Sequence, residues 1–180
     1  GKLVLPGGID AHAHIEQLSG MGVMNADTFE SGTAAAAHGG TTTVVCFAAQ
    51  HQGMSLTKVV EDYHALARKG AIIDYAFHMI LADPNERVLT EELPPLIKSG
   101  HSSIKIFMTY EKTRVPDEPL LEVLATAREH KALVCVHAEN HGMIAWMGRR
   151  LLAPGYAARK YRAVSHPRVS ATEAFERLIA

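Results

Sequence analysis

At 180 residues and 47% hydrophobic content, the chain carries enough apolar material for one substantial buried core. Its 18 Lys and Arg against 19 Asp and Glu leave no basic stripe that could track a phosphate backbone, which argues against nucleic acid as a partner. No signal peptide or apolar run of membrane-spanning length is visible, and Cys46 and Cys135 both lie inside apolar runs as small reduced core residues, so the expectation is a soluble cytoplasmic protein with no membrane partner and no disulfide framework.

The first predicted element is a strand over residues 2–12, interrupted by Pro6-Gly7-Gly8 and ending in Asp10-Ala11-His12-Ala13-His14. Strand side chains alternate faces, so His12 and His14 point together while Ala11 and Ala13 point away. Two converging imidazoles are half of a metal site; two solvated loop histidines are the other reading. Asp10 shares the face of His12 and either orients that ring or makes a buried structural hydrogen bond.

A helix over 27–38 follows, closed by Gly39-Gly40, then a strand over 41–48, a helix over 56–69 and a strand over 72–81 that contains His78. Thr90-Glu91-Glu92 places a hydroxyl cap and two acids at the start of a helix over 90–98, although Pro94 and Pro95 constrain its first turn. Ser99-Gly100 closes it. In the next strand, 103–108, alternation puts Ser103, Lys105 and Phe107 on one face and Ile104, Ile106 and Met108 on the other. Lys105 thereby interrupts a pattern that would otherwise be buried on both faces. An unpaired buried ammonium is very costly, and the escapes are a carboxylate partner or a depressed pKa. A neutral amine can also take up carbon dioxide to give a carbamate, an anionic oxygen ligand able to bridge two metals. Snorkelling from a strand edge is the alternative.

The turn at Pro116-Asp117-Glu118-Pro119 opens a helix over 118–130. The last strand, 133–138, runs into His137-Ala138-Glu139-Asn140, with His137 on the face of Leu133 and Cys135 where the apolar run stops. Helices over 142–152 and 170–179 complete the pattern. Of the remaining histidines, His38, His51, His64, His101, His130 and His141 are expected to be solvated, and His78 to be a core histidine with a backbone partner.

Strands alternating with helices predict parallel pairing through right-handed crossovers. Functional groups at the ends of several strands favour a barrel over an open doubly wound sheet, and no Gly-x-Gly-x-x-Gly loop follows the first strand. A full barrel needs eight strands in about 250 residues. The expected fold is therefore α/β, a partial TIM-like (β/α) barrel with about five of eight strands, occupying residues 1–180 without an internal boundary and stopping inside a helix at Ala180.

The segments LPGGIDAHAH (5–14), FESGTAAAAHGGTTT (29–43), SIKIFMTY (103–110) and VCVHAEN (134–140), with Ser165-His166-Pro167 and Thr172-Glu173-Ala174, resemble the dihydropyrimidinase and hydantoinase family of cyclic amidohydrolases. The resemblance covers essentially the whole chain. It implies a binuclear-metal hydrolase that opens the ring amide of dihydropyrimidines or 5-substituted hydantoins to N-carbamoyl amino acids. It implies two divalent ions, zinc by preference for the nitrogen and carbamate-oxygen donors: His12 and His14 on the more buried ion, Lys105 as a bridging carbamate, His137 on the more exposed ion. Tyr110 would donate a hydrogen bond to the substrate carbonyl. A further metal histidine and a late aspartate proton shuttle would lie past Ala180, so residues 1–180 alone are expected to be inactive, and family members are commonly homotetramers. Glu16 and Gln17 stand where dihydroorotases carry an arginine, which disfavours an anionic ring. The loops over 18–26 and 49–55 would set ring preference, with Met21, Val23 and Met24 lining an apolar pocket. Two alternatives stay open: a non-catalytic assembly protein like the collapsin response mediator proteins, which lose metal ligands, and an allantoinase-like hydrolase of another cyclic ureide.

Overall fold

The structure is a computed structural model that describes residues 1–19 and 22–179. Five parallel strands form one curled sheet in the order β1-β2-β3-β4-β5, a half-barrel: β1 Gly8–Asp10, β2 Thr41–Ala49, β3 Asp74–Ile80, β4 Ser103–Phe107 and β5 Leu133–His137. The intervening helices are α1 Phe29–His38, α2 Leu56–Gly70, α3 Leu93–Lys98 and α4 Asp117–His130, with α5 His141–Leu152, α6 Arg162–Ser165 and α7 Arg168–Ile179 after the last strand.

The first strand is much shorter than residues 2–12. Leu3, Val4 and Leu5 are exposed, and pairing with β2 begins only at Gly8 opposite Thr41. Gly7 marks the approach: a Cβ there would lie 2.2 Å from Thr42 Oγ1. Past Asp10 the chain bends but stays beside β2, with Ala13 N donating to Val45 O at 3.1 Å.

Period-2 alternation divides the sheet's two faces. Val44, Cys46 and Ala48 of β2, Phe77 and Met79 of β3, and Ile104 and Ile106 of β4 form the main core with Phe29, Leu56, Val60, Leu93 and Val123 from the helices. The other face turns into the half-barrel. There Ala49, Ile80, Lys105 and Cys135 stand in register across four strands, with Phe47 beside His78 and Phe107 beside His137. Cys46 is buried in the core as expected, whereas Cys135 is half-buried on this inner face; both are free thiols.

Thr28 caps α1 in a reciprocal box with Ser31, and Gly40 at φ 88° takes the left-handed turn that releases the chain into β2. The helix expected from Thr90 starts earlier. Asn85 Oδ1 accepts from Val88 N at 3.1 Å, and Thr90 Oγ1 instead bonds back to Glu86 O at 2.8 Å. Residues Val88–Glu92 form a π-helical turn before α3, with Leu93 N reaching Val88 O. Pro94 and Pro95 have no N–H to offer the preceding turn, which accounts for the departure from α-helical bonding. Glu92 is buried and caps a different helix: its Oε2 accepts from Ser55 Oγ and Thr57 N, both at 3.0 Å, at the start of α2.

Candidate active site

The site is assembled on the inner face, where β1 to β5 end. His12 and His14 leave the end of β1 with ring centroids 5.3 Å apart and edge-on to each other. Both rest on Phe47, at 4.7 and 4.6 Å. The bend is fixed twice. Asp10 Oδ1 accepts from His12 N at 3.0 Å, so Asp10 orders the backbone rather than the ring. His78 Nε2 donates to Ala11 O at 2.9 Å while its Nδ1 meets Ser103 Oγ at 2.6 Å, the backbone partner expected for this histidine. Burial holds the His12 imidazole below its usual range, helped by His14, Lys105 and His78 and opposed by Asp10. A ring so placed is neutral, the state a metal ligand needs.

Lys105 is 8% exposed. Among the described residues it has no hydrogen-bond or ion-pair partner; its ammonium nitrogen lies 5.0 Å from the centre of the Phe107 ring. Burial pushes the amine below its ordinary range, with Cys135 opposing. The alternation therefore placed Lys105 correctly, facing inward and not snorkelling from an edge. Phe107 joins it to the fourth predicted residue, since His137 stacks on the same ring at 5.8 Å. Tyr110 sits over His137, with its hydroxyl 3.3 Å from Nε2 and its backbone in the left-handed region at φ 72°.

Two polar neighbours carry no sequence signal of their own. His14 Nδ1 donates to the buried Gln17 Oε1 at 2.7 Å, which leaves Nε2 as the lone-pair atom. His137 Nε2 donates to Glu139 Oε2 at 2.6 Å, which leaves Nδ1 free. Such contacts fix which ring nitrogen can bind a metal. Among the described residues no three His, Cys, Asp or Glu side chains gather closely enough to hold an ion unaided, so a metal here needs the lysine or groups outside this chain.

An open cleft of about 550 Å³ lies beside the site, with His14, Leu18, Ala49, Ile80, Phe107 and Tyr110 in its wall and Lys112 and Arg162 at its rim. The expected pocket residues fare differently: Val23 and Met24 are exposed outside that wall, and Met21 lies outside the described residues. Three of the histidines expected to be solvated have partners instead. His64 meets His101, and His141 pairs with Glu111 at 2.9 Å.

The sequence model of the Amidohydrolase family matches residues 3–152. The chain belongs to the amidohydrolase family. It is 41% identical over 169 residues to the D-hydantoinase of Geobacillus stearothermophilus, covering 93% of this chain and 36% of that protein. It is 36% identical over 184 residues to the D-phenylhydantoinase of Escherichia coli, covering 99% and 38%. The D-hydantoinase structure from a Bacillus sp. superposes with a TM-score of 0.91 at 41% identity, over 97% of this chain and 38% of the other. The dihydropyrimidinase structure from Brevibacillus agri gives 0.91 at 40%, with the same coverage. This amidohydrolase chain thus spans a little over a third of the length of the relatives it matches. No helix among its described residues is long and apolar enough to cross a membrane.

Proposed function

We propose that this chain carries the first metal-binding half of a binuclear-metal hydrolase that opens the ring amide of dihydropyrimidines or 5-substituted hydantoins, giving N-carbamoyl amino acids. The observation that carries this reading is Lys105, a buried amine without a counter-ion among the described residues, on the same inner face as His12, His14 and His137. The donor set fits a metal pair: a neutral His12, a His14 whose Nε2 is left open, and an amine kept below its ordinary range. His12 and His14 would hold the more buried ion, Lys105 as its carbamate would reach both, and His137 would hold the more exposed one through Nδ1. Two divalent ions, zinc by the donor chemistry, would supply Lewis acidity toward the ring carbonyl and a water acidic enough to attack at neutral pH.

The chain's own groups do the positioning. Tyr110 would donate to the carbonyl oxygen as it gains negative charge, from a backbone already held at φ 72°. Phe47 backs His12 and His14, and Phe107 backs Lys105 and His137, while Gln17 and Glu139 keep the two imidazoles in one tautomer. Residues 1–180 would form one uninterrupted part of the catalytic barrel. The assembled enzyme would be a cytoplasmic homotetramer acting on small cyclic amides.

The test uses the full-length protein. Elemental analysis is expected to find two divalent ions per subunit, with turnover of dihydrouracil or a 5-substituted hydantoin exceeding that of allantoin. Lys105→Ala should lower both metal content and turnover, the latter by more than about 100-fold, the upper end for loss of an outer-shell partner. Intact oligomers without metal or turnover would point instead to an assembly protein, and a Lys105→Ala variant with full activity would remove the carbamate role.

A further inference from the structure

We propose that His64 and His101 form a second metal site, a two-imidazole site for a late divalent transition ion with copper(II) preferred, on the helix-covered side of the sheet. Their Nε2 atoms face each other at 2.8 Å across 37 residues of chain. His64 stands on α2 with its ring edge-on to Phe77 at 4.9 Å and 5.8 Å from Tyr75, contacts that set its orientation. His101 follows Gly100, which turns the chain at φ 109° between α3 and β4. Phe77 belongs to the core beneath the helices, whereas its neighbour His78 faces inward, so the sheet separates this pair from the lumen.

The hydrogen bonds fix the tautomers. The Ser99 hydroxyl donates to Leu96 O at 2.8 Å, so toward His101 Nδ1, 3.1 Å away, its oxygen can only accept. His101 therefore carries its proton on Nδ1 and presents a lone pair at Nε2, and His64 Nε2 donates into it. Replacing that single proton by a metal ion keeps the two nitrogens close but turns each ring, because the ring centres lie 5.1 Å apart and the two Nε2 atoms meet head-on. Two metal–nitrogen bonds of about 2.05 Å at a right angle span about 2.9 Å, against about 3.3 Å for a tetrahedral angle. The observed 2.8 Å is near the right-angle span of copper(II) and short of the tetrahedral span of zinc, and each ring must turn so that its lone pair points off the line joining the two nitrogens. Copper also leads the affinity order for nitrogen sites. Burial, His101 and Arg68 hold the His64 imidazole below its usual range, so it is uncharged at neutral pH and free to ligate. Arg68 also repels a cation, which limits the affinity. Both rings are half-exposed, leaving the remaining coordination positions to water.

The experiment takes the full-length protein with its lumen already loaded with zinc and adds copper(II) up to one equivalent. One extra copper per subunit is expected, with an electron paramagnetic resonance spectrum showing coupling to two imidazole nitrogens. His64→Gln and His101→Gln should each weaken that copper more than tenfold while keeping zinc content and turnover. The proposal is overturned if wild type takes up no additional copper, or if the double variant binds it unchanged. Should the variants not fold, wild type still decides. Substoichiometric copper should broaden the His64 and His101 ring proton signals before those of any other histidine, and broadening led by His38, His51 or His130 would sink the assignment.

Discussion

Lys105 is the residue on which the site's electrostatics turn. Its amine is buried with only the Phe107 ring and the Cys135 thiol against it among the described residues, and burial holds its pKa below the ordinary lysine range. In the metal-free protein the unfolded chain thus binds its proton more tightly than the folded one, so stability rises with pH in the window just below the ordinary value of about 10.4. Lys105→Met should therefore raise the stability of the metal-free full-length protein at pH 7 by about 1–3 kcal/mol, the cost of an unsatisfied buried donor. The gain should shrink as the pH approaches 10. Urea denaturation at both pH values measures it, and a variant less stable than wild type at pH 7 would mean that the amine has a partner. Lys105 and His137 were legible in the sequence because strand alternation fixes faces, and an ionisable residue on an apolar face is conspicuous; His12 and His14 were singled out by the same alternation, yet the structure carries them on a bend past the end of β1. Gln17 and Glu139 were not, because nothing about a polar residue two or three positions after a histidine says which way it folds back. The histidine pair His64–His101 was invisible for a related reason: its members are 37 residues apart and meet only through packing.

At the level of elements, the alternation of strands and helices was legible throughout, and the departures trace to contacts a local pattern does not contain. The opening strand is short because Leu3, Val4 and Leu5 have no neighbour among the described residues to bury them. Glu92 reads as a first-turn acid of its own helix, yet tertiary packing uses it as the cap of α2. A similar cross-element cap holds the helix after the last strand. Asn140 Oδ1 accepts from Met143 N at 3.0 Å to start α5, and Asn140 Nδ2 donates to Glu173 Oε2 of α7 at 2.6 Å. Hydrogen bonds from Arg177 and Asn140 hold the Glu173 carboxyl below its usual range. A depressed folded-state pKa gives a contribution that is complete above the ordinary carboxylate range and lost as pH falls through the folded value. Acidification below about pH 4, under the ordinary glutamate pKa, should thus increase hydrogen exchange at Met143 and Ile144. Glu173→Gln should show raised exchange at neutral pH and little further change in acid. Equal protection in the two proteins across the range would detach Glu173 from the start of α5.

For the molecule as a whole, the inner face is a continuous wall across which Ala49, Ile80, Lys105 and Cys135 align, and the metal chemistry proposed for it would depend on one covalent step. In the proposed step the neutral form of the Lys105 amine would donate its lone pair to the carbon of carbon dioxide, a nitrogen–carbon bond would form as one carbon–oxygen π pair moves onto oxygen, and one proton would leave to solvent; counted from the ammonium, two protons leave and a cationic side chain becomes an anionic one. That reversal of charge is what would let a single lysine serve two cations, and it would make carbon dioxide a requirement for loading. Full-length protein stripped by a chelator should lose thermal stability, because ions that bind only the folded state stabilise it by mass action. Reloading with zinc in buffer freed of carbon dioxide should leave metal content and turnover below half of the starting values, and millimolar bicarbonate should restore both. Lys105→Met should take up the same amount of zinc with or without bicarbonate. Because His12, His14 and His137 remain in that variant, any bicarbonate effect that survives the substitution would place the carbon dioxide elsewhere, while wild-type reloading indifferent to bicarbonate would leave Lys105 as a plain buried amine.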